Sequence, residues 1–159
     1  MELPTTPPGM DGAVLAAVNL HDVDYRYADA GGNADPEYDN NSDYGWLDGV
    51  ANTAWGTLPY QSVRVDQNDN QVSYRFDNLN PSKRYNVWVT FWQGTGAARI
   101  QKVRIDGLET GVTVDSGDFL QHEEKISVPL GSYASDGSIV VSINRLHASS
   151  GAMVNEIAL

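Results

Sequence analysis

From Gln61 onward the apolar residues of this chain recur at every second position, and that period restricts it to a fold built of strands. Successive strand side chains point to opposite faces, so apolar–polar alternation marks a sheet with one buried side. Ser62-Val63-Arg64-Val65-Asp66 alternates, and Asp66-Gln67-Asn68-Asp69-Asn70 supplies turn residues. Gln71-Val72-Ser73-Tyr74-Arg75-Phe76 alternates again with Val72, Tyr74 and Phe76 on one face. Together these segments predict a hairpin. Asn78 to Ser82 reads as a loop, and Tyr85 to Trp92 is the strongest strand, broken by Gly94-Thr95-Gly96.

The pattern continues to the last residue. Ala98 to Ile105 predicts a strand closed by Asp106-Gly107, and Val112 to Val114 a short one. Lys125 to Leu130, Ser138 to Leu146 and Met153 to Leu159 complete the series. Short strands at regular spacing, with no long amphipathic helix between them, mean a sandwich or barrel. The predicted core is Val72, Tyr74, Phe76, Val87, Val89, Phe91, Val103, Ile105, Ile139, Val141, Ile143 and Ile157.

The first third differs. Residues 1–12 open with Met1-Glu2-Leu3-Pro4-Thr5-Thr6-Pro7-Pro8 and read as a linker or disordered tail before one domain over 13–159. Ala13 to Leu20 and Val23 to Tyr27 predict strands, and Ala28 to Ala54 is a long polar stretch. Tyr38, Tyr44, Trp46 and Trp55 within it argue for ordered packing, because disordered segments are poor in aromatics.

Charge and cysteine content exclude several function classes. The 159 residues hold 10 Lys plus Arg against 21 Asp plus Glu, a formal net charge of −11. Nucleic acid needs a cationic patch that releases counterions, so it is not an expected partner. No apolar run approaches the roughly 20 residues that span a bilayer. With no cysteine there is no disulfide framework or thiol chemistry. The linker and the polar, acidic surface point to a secreted or cell-surface location.

Residues Tyr74 to Leu159 resemble the malectin-like and carbohydrate-binding-module group, whose fold is a galactose-binding-like jelly roll. Val72-Ser73-Tyr74-Arg75-Phe76 with Tyr85-Asn86-Val87-Trp88-Val89-Thr90-Phe91 is similar to that group's core strands. Val103-Arg104-Ile105-Asp106-Gly107 is similar to its recurring turn. Gly137 to Ile143, followed by Val154-Asn155-Glu156-Ile157-Ala158-Leu159, is similar to its finish. Asp43-Tyr44-Gly45-Trp46 resembles a Gly-Tyr-Gly-Trp element of similar domains, with Asp43 in place of the first glycine. The resemblance implies an all-β jelly-roll sandwich of two antiparallel sheets that binds polysaccharide or another glycan.

Sugars offer C–H patches to indole faces and hydroxyls to neighbouring polar groups. Trp46, Trp55 and Tyr60, near Asp48 and Asn52, form one candidate platform in loop-like sequence. Trp88 and Trp92, on the face of their strand opposite Val87, Val89 and Phe91, form the other. Packing is the competing role for each, since Trp is highly buried on average.

Asp39, Asn41 and Asp43 alternate as oxygen ligands do around calcium, without the Gly and Glu of an EF-hand. The family resemblance implies a structural calcium near the first and last strands, which adds Asp22, Asp24 and Asn155 or Glu156. His21, His122 and His147 stand in no catalytic motif. Glu123-Glu124 and the carboxylates of Asp115-Ser116-Gly117-Asp118 read as surface charge rather than as a glycosidase pair.

These readings converge on a non-catalytic carbohydrate-binding module joined to other domains. A structural or adhesive subunit of a surface layer or filament is the alternative, and a small glycan hydrolase or esterase comes third.

Overall fold

The computed structural model describes residues 25–32, 34–53, 61–66, 70–94, 98–146 and 151–159. The expected linker over 1–12 and the expected strand from Ala13 to Leu20 lie outside them. The described residues form a β-sandwich. Its four-stranded sheet takes β1 (Tyr27–Asp29), β12 (Glu156–Ala158), β6 (Asn86–Phe91) and β9 (His122–Ser127), in that order. The five-stranded sheet takes β2 (Tyr44–Trp46), β5 (Gln71–Phe76), β10 (Ile139–Arg145), β7 (Ile100–Ile105) and β8 (Leu108–Asp115). A third sheet joins β11 (Ala152–Val154), β4 (Val63–Asp66) and β3 (Val50–Asn52). All the ladders are antiparallel. One helical turn, α1 (Leu130–Tyr133), follows Pro129.

All twelve residues expected in the core are buried in one cluster. Val87, Val89 and Phe91 of β6 face Val72, Tyr74 and Phe76 of β5 and Val141 and Ile143 of β10 across the sandwich interior. The warrant is the period itself, since a one-residue slip would turn each apolar set to water. Asp106-Gly107 closes β7 onto β8 with φ of 50° and 77°, the two left-handed residues of a tight hairpin turn.

Pairing departs from the sequence expectation in four places. Val63–Asp66 does not form a hairpin with Gln71–Phe76: β4 pairs with β3 and β11, whereas β5 pairs with β10 and β2. Alternation tells which face is buried, not which strand is the neighbour. Residues 108–115 form eight residues of edge strand rather than three, because an exposed edge tolerates the Glu109-Thr110-Gly111 run that reads as a loop. The strand expected from Lys125 to Leu130 runs earlier, over His122–Ser127, since Pro129 ends the extended run and α1 begins at Leu130. The expected final strand is two, split at Asn155, with β11 in the third sheet and β12 in the first.

The registers put one set of strand ends together. Phe91 pairs with His122, Ile100 with Asp115, and Gln101 with Arg145. The connections after Phe91, Asp115 and Arg145 therefore leave from the same end of the sandwich.

Candidate functional site

Trp92 is the first residue past β6 at this end, and it is tied down twice. Its backbone N–H donates to Asn155 Oδ1 at 2.6 Å, and its indole Nε1–H donates to the carbonyl of Phe119 at 3.2 Å. The second bond joins the 92–99 connection to the 115–121 connection. Phe119 itself stands at φ 63°, a left-handed backbone that bulky residues rarely adopt. Phe119 is 58% exposed and Leu120 beside it is 61% exposed. The Asp118 carboxylate braces the turn from below, accepting from Leu120 N at 2.9 Å and pairing with His122 Nε2 at 2.9 Å. The His122 ring beside it holds the Asp118 carboxyl below the usual carboxylate range. An exposed aromatic ring on a strained, braced backbone is a preorganised contact surface.

Phe119 is a candidate that sequence reasoning missed. An aromatic isolated after turn residues has no periodicity to mark it. The available signal was two large apolar residues, Phe119-Leu120, immediately after Asp115-Ser116-Gly117-Asp118, where no core strand needs them.

The two indoles of the 88–92 face do not share an open platform. Trp88 is only 9% exposed, with the Lys125 ammonium 5.3 Å from its ring centre, and it packs as part of the sheet's outer layer. Trp92 leaves the strand altogether and belongs to the loop end.

Trp46 sits elsewhere, half-buried in edge strand β2, with the Arg64 guanidinium 4.0 Å from its ring centre. Arg64 is fixed in turn. It meets Asp35 Oδ2 through Nε at 2.8 Å and Nη2 at 2.6 Å, and donates to Gly49 O at 2.7 Å. Asp35 also accepts from Tyr74 Oη at 2.7 Å and Gly31 N at 2.6 Å. Burial, with Asp35 adjacent, raises the Tyr74 hydroxyl pKa well above its ordinary value. Gly49 lies at φ 95°, and a Cβ there would meet the Arg64 Cγ at 2.7 Å, so this turn needs glycine. One face of the Trp46 indole is thus occupied by protein. Asp48 accepts from Ser73 N at 2.5 Å, and burial raises its carboxyl pKa. Asn52 is exposed on β3, while Trp55 and Tyr60 lie outside the described residues.

Among the described residues the expected calcium ligands are engaged with partners in the protein. Asp39 closes its own turn, accepting from Asn41 N at 2.7 Å and Ser42 Oγ at 3.0 Å. Asp43 accepts from Asn78 Nδ2 at 2.6 Å. Asn155 is fully buried, and its amide bridges Trp92 N and Ser62 O, the latter at 3.0 Å. Glu156 accepts from Tyr27 Oη at 2.8 Å, and burial raises its pKa. Among the described residues no three His, Cys, Asp or Glu side chains gather as a metal site. Asp22 and Asp24 lie outside those residues.

No helix among the described residues is long and apolar enough to cross a membrane. No protein-family model matches the chain, and no curated protein sequence matches it. Solved structures do match. A family 35 carbohydrate-binding module from Clostridium thermocellum aligns at TM-score 0.54 and 15% identity over 86% of this chain and 97% of that one. The family 35 module of Cellvibrio japonicus Abf62 aligns at TM-score 0.52 and 12% identity, over 84% and 91%. Beta-glucuronidase 2 of Bacteroides uniformis aligns at TM-score 0.61 and 18% identity over 88% of this chain. The match there spans only 18% of the glucuronidase, so it concerns one module of a longer enzyme. These likenesses establish that the chain has the sandwich fold found in carbohydrate-binding modules.

Proposed function

We propose that this chain is a non-catalytic carbohydrate-binding module that takes a sugar ring on Phe119, whose turn is held by Trp92 and continues into the exposed Leu120. The observation that carries this reading is the exposed Phe119 ring on a left-handed backbone, joined through its carbonyl to the Trp92 indole. Aromatic faces stack against pyranose C–H groups, and a loop whose backbone is already held loses less entropy on binding. The sandwich shared with family 35 modules supports the reading, because two of those neighbours are nearly whole chains of the same extent. The module is part of a larger secreted or surface protein, as the glucuronidase match illustrates for another chain.

Calcium enters this proposal only through the N-terminal segment that holds Asp22 and Asp24. A melting temperature that falls on chelation supports a structural ion there, since a ligand bound only by the folded state stabilises it. An unchanged melt removes calcium from the account.

Native gels cast with a range of neutral and acidic polysaccharides test the function. Retarded migration with at least one polysaccharide is the expected result. Free migration in every gel, together with concentration-dependent self-association, favours the structural-subunit reading instead.

A further inference from the structure

The Phe119 turn is held from two sides, and both holds start from one rung of the β6–β9 ladder, where Phe91 pairs with His122. On one flank Trp92, next to Phe91, donates its indole N–H to the Phe119 carbonyl at 3.2 Å. On the other flank the His122 ring reaches back along its own chain to Asp118, with Nε2 2.9 Å from Oδ1 and 3.0 Å from Oδ2. Asp118 Oδ1 also accepts from Leu120 N at 2.9 Å. The exposed Phe119, at φ 63°, therefore lies between two holds, and one of them is an imidazole.

Imidazole is the side chain whose ordinary titration falls between about pH 5 and 8. As imidazolium, His122 gives Asp118 a charge-assisted bond, which is stronger than one from a neutral ring. A neutral ring donates from Nε2 in only one of its two tautomers, and in the other that nitrogen turns a lone pair to the carboxylate. Deprotonation thus loosens the brace while the backbone of His122 stays in the ladder. Both side chains are partly exposed, so bulk pH reaches the pair. The bonds from His122 and Leu120 N hold the Asp118 carboxyl below the usual carboxylate range, which keeps it ionised across this window.

The charged groups around the pair leave Asp118 as the partner that responds. Among the described residues the ion pair of His122 is with Asp118. Glu124 shares the His122 face of β9, while Glu123 on the other face accepts from Gln121 Nε2 at 2.9 Å. Asp115, at the end of β8, accepts from the backbone N–H groups of Arg99 at 3.1 Å and Gly117 at 3.0 Å. Glu109, at the far end of β8, is paired with Lys102 and Arg104. Strand β6 carries no titratable side chain, and Lys125 lies over the Trp88 ring on the opposite face of β9.

We propose that the His122–Asp118 pair is a proton-operated clamp on the glycan site: protonation of His122 tightens the turn that presents Phe119 and so strengthens glycan binding in mildly acidic surroundings. The inference rests on the carbohydrate reading and adds the regulation of that site. A partly exposed pair of this kind supports an effect of about threefold rather than a hundredfold.

Native affinity gels cast with galactomannan, xyloglucan, β-glucan or polygalacturonate, whose charge is constant across this range, are run at about pH 5.5 and about pH 8. With the polysaccharide that retards the unaltered chain most, affinity should be about threefold higher at the lower pH. His122→Gln keeps a donor but does not titrate, and Asp118→Asn keeps an acceptor for Leu120 N but loses the charge. Each variant should bind equally at the two pH values. Exchange NMR of the free chain adds a reading that needs no sugar. Protection of the Leu120 N–H should fall about threefold over the same range, following the His122 titration, and should stay constant in Asp118→Asn. If one variant fails to fold, the other and the exchange data on the unaltered chain decide. Equal affinity of the unaltered chain at both pH values, an unchanged Leu120 protection, or a pH dependence that survives in both variants overturns the clamp and leaves the glycan reading standing. Retardation in none of these gels, nor in any cast with another polysaccharide, overturns both.

Discussion

The indole N–H of Trp92 donates to the carbonyl of Phe119 at 3.2 Å, so the residue just past β6 holds the turn that leads into β9. The bond fixes the backbone at Phe119 and leaves that residue exposed. That combination separates the loop end from the other aromatic clusters, where Trp88 and Trp46 each have a cation against the ring.

Phe119 stands at φ 63°, where glycine is unstrained and phenylalanine is not. Phe119→Gly should therefore leave stability unchanged or raise it by up to about 1 kcal/mol. Glycan affinity should fall at least tenfold in the same variant. Thermal melts and titration of one sample read both, and a parallel loss of stability and binding would make Phe119 an ordinary packing residue.

Asn155→Ala should destabilise the fold strongly. It orphans the Trp92 N–H and the Ser62 carbonyl, and each buried unsatisfied group costs roughly 1–3 kcal/mol. Urea unfolding should show the midpoint shift. A near-neutral result would mean that the split between β11 and β12 does not depend on this amide.

Asp35→Asn tests the support under Trp46. Breaking a buried pair by removing one partner typically costs about 3–5 kcal/mol, because the other charge stays buried. Glycan affinity, measured where the variant is still folded, should change less than twofold, since Trp46 serves packing in this account.

Glu156 gives the pH dependence. Burial raises its folded pKa above the unfolded one, so the folded state binds more protons between the two values. Stability associated with this group is greatest below the unfolded pKa and is lost as pH rises through the folded one. Glu156→Gln should raise the melting temperature at pH 7.5, and the gain should vanish below about pH 3.3, where the glutamate is protonated in both states. A gain that persists at low pH would point to packing instead.

Much of the fold was legible because it rests on period two. Val87, Val89 and Phe91 fall on one buried face, as their spacing requires. Strand partners were not legible, as β4 shows: Val63 and Arg64 are both buried, and Arg64 is held by Asp35 from a distant loop rather than by a hairpin. The break at Asn155 was hidden for a related reason. Met153 to Leu159 reads as one apolar strand, and only the hydrogen bonds of the Asn155 amide show that it changes sheets. Phe119 escaped because it lies inside no periodic run. Its candidacy comes from a left-handed backbone and an exposed side chain, which appear only in three dimensions.

The most direct test of the central claim is a paired measurement of glycan affinity and melting temperature for Phe119→Ala, Trp46→Ala and Trp88→Ala beside the parent chain. The account predicts that Phe119→Ala loses about 2 kcal/mol or more of binding while its melt is unchanged. Trp88→Ala should lose roughly 3–5 kcal/mol of stability. Trp46→Ala should also melt early, and both tryptophan variants should bind normally while folded. Unchanged glycan affinity in Phe119→Ala, with binding lost in Trp46→Ala at an unaltered melting temperature, would contradict the account and move the site to β2.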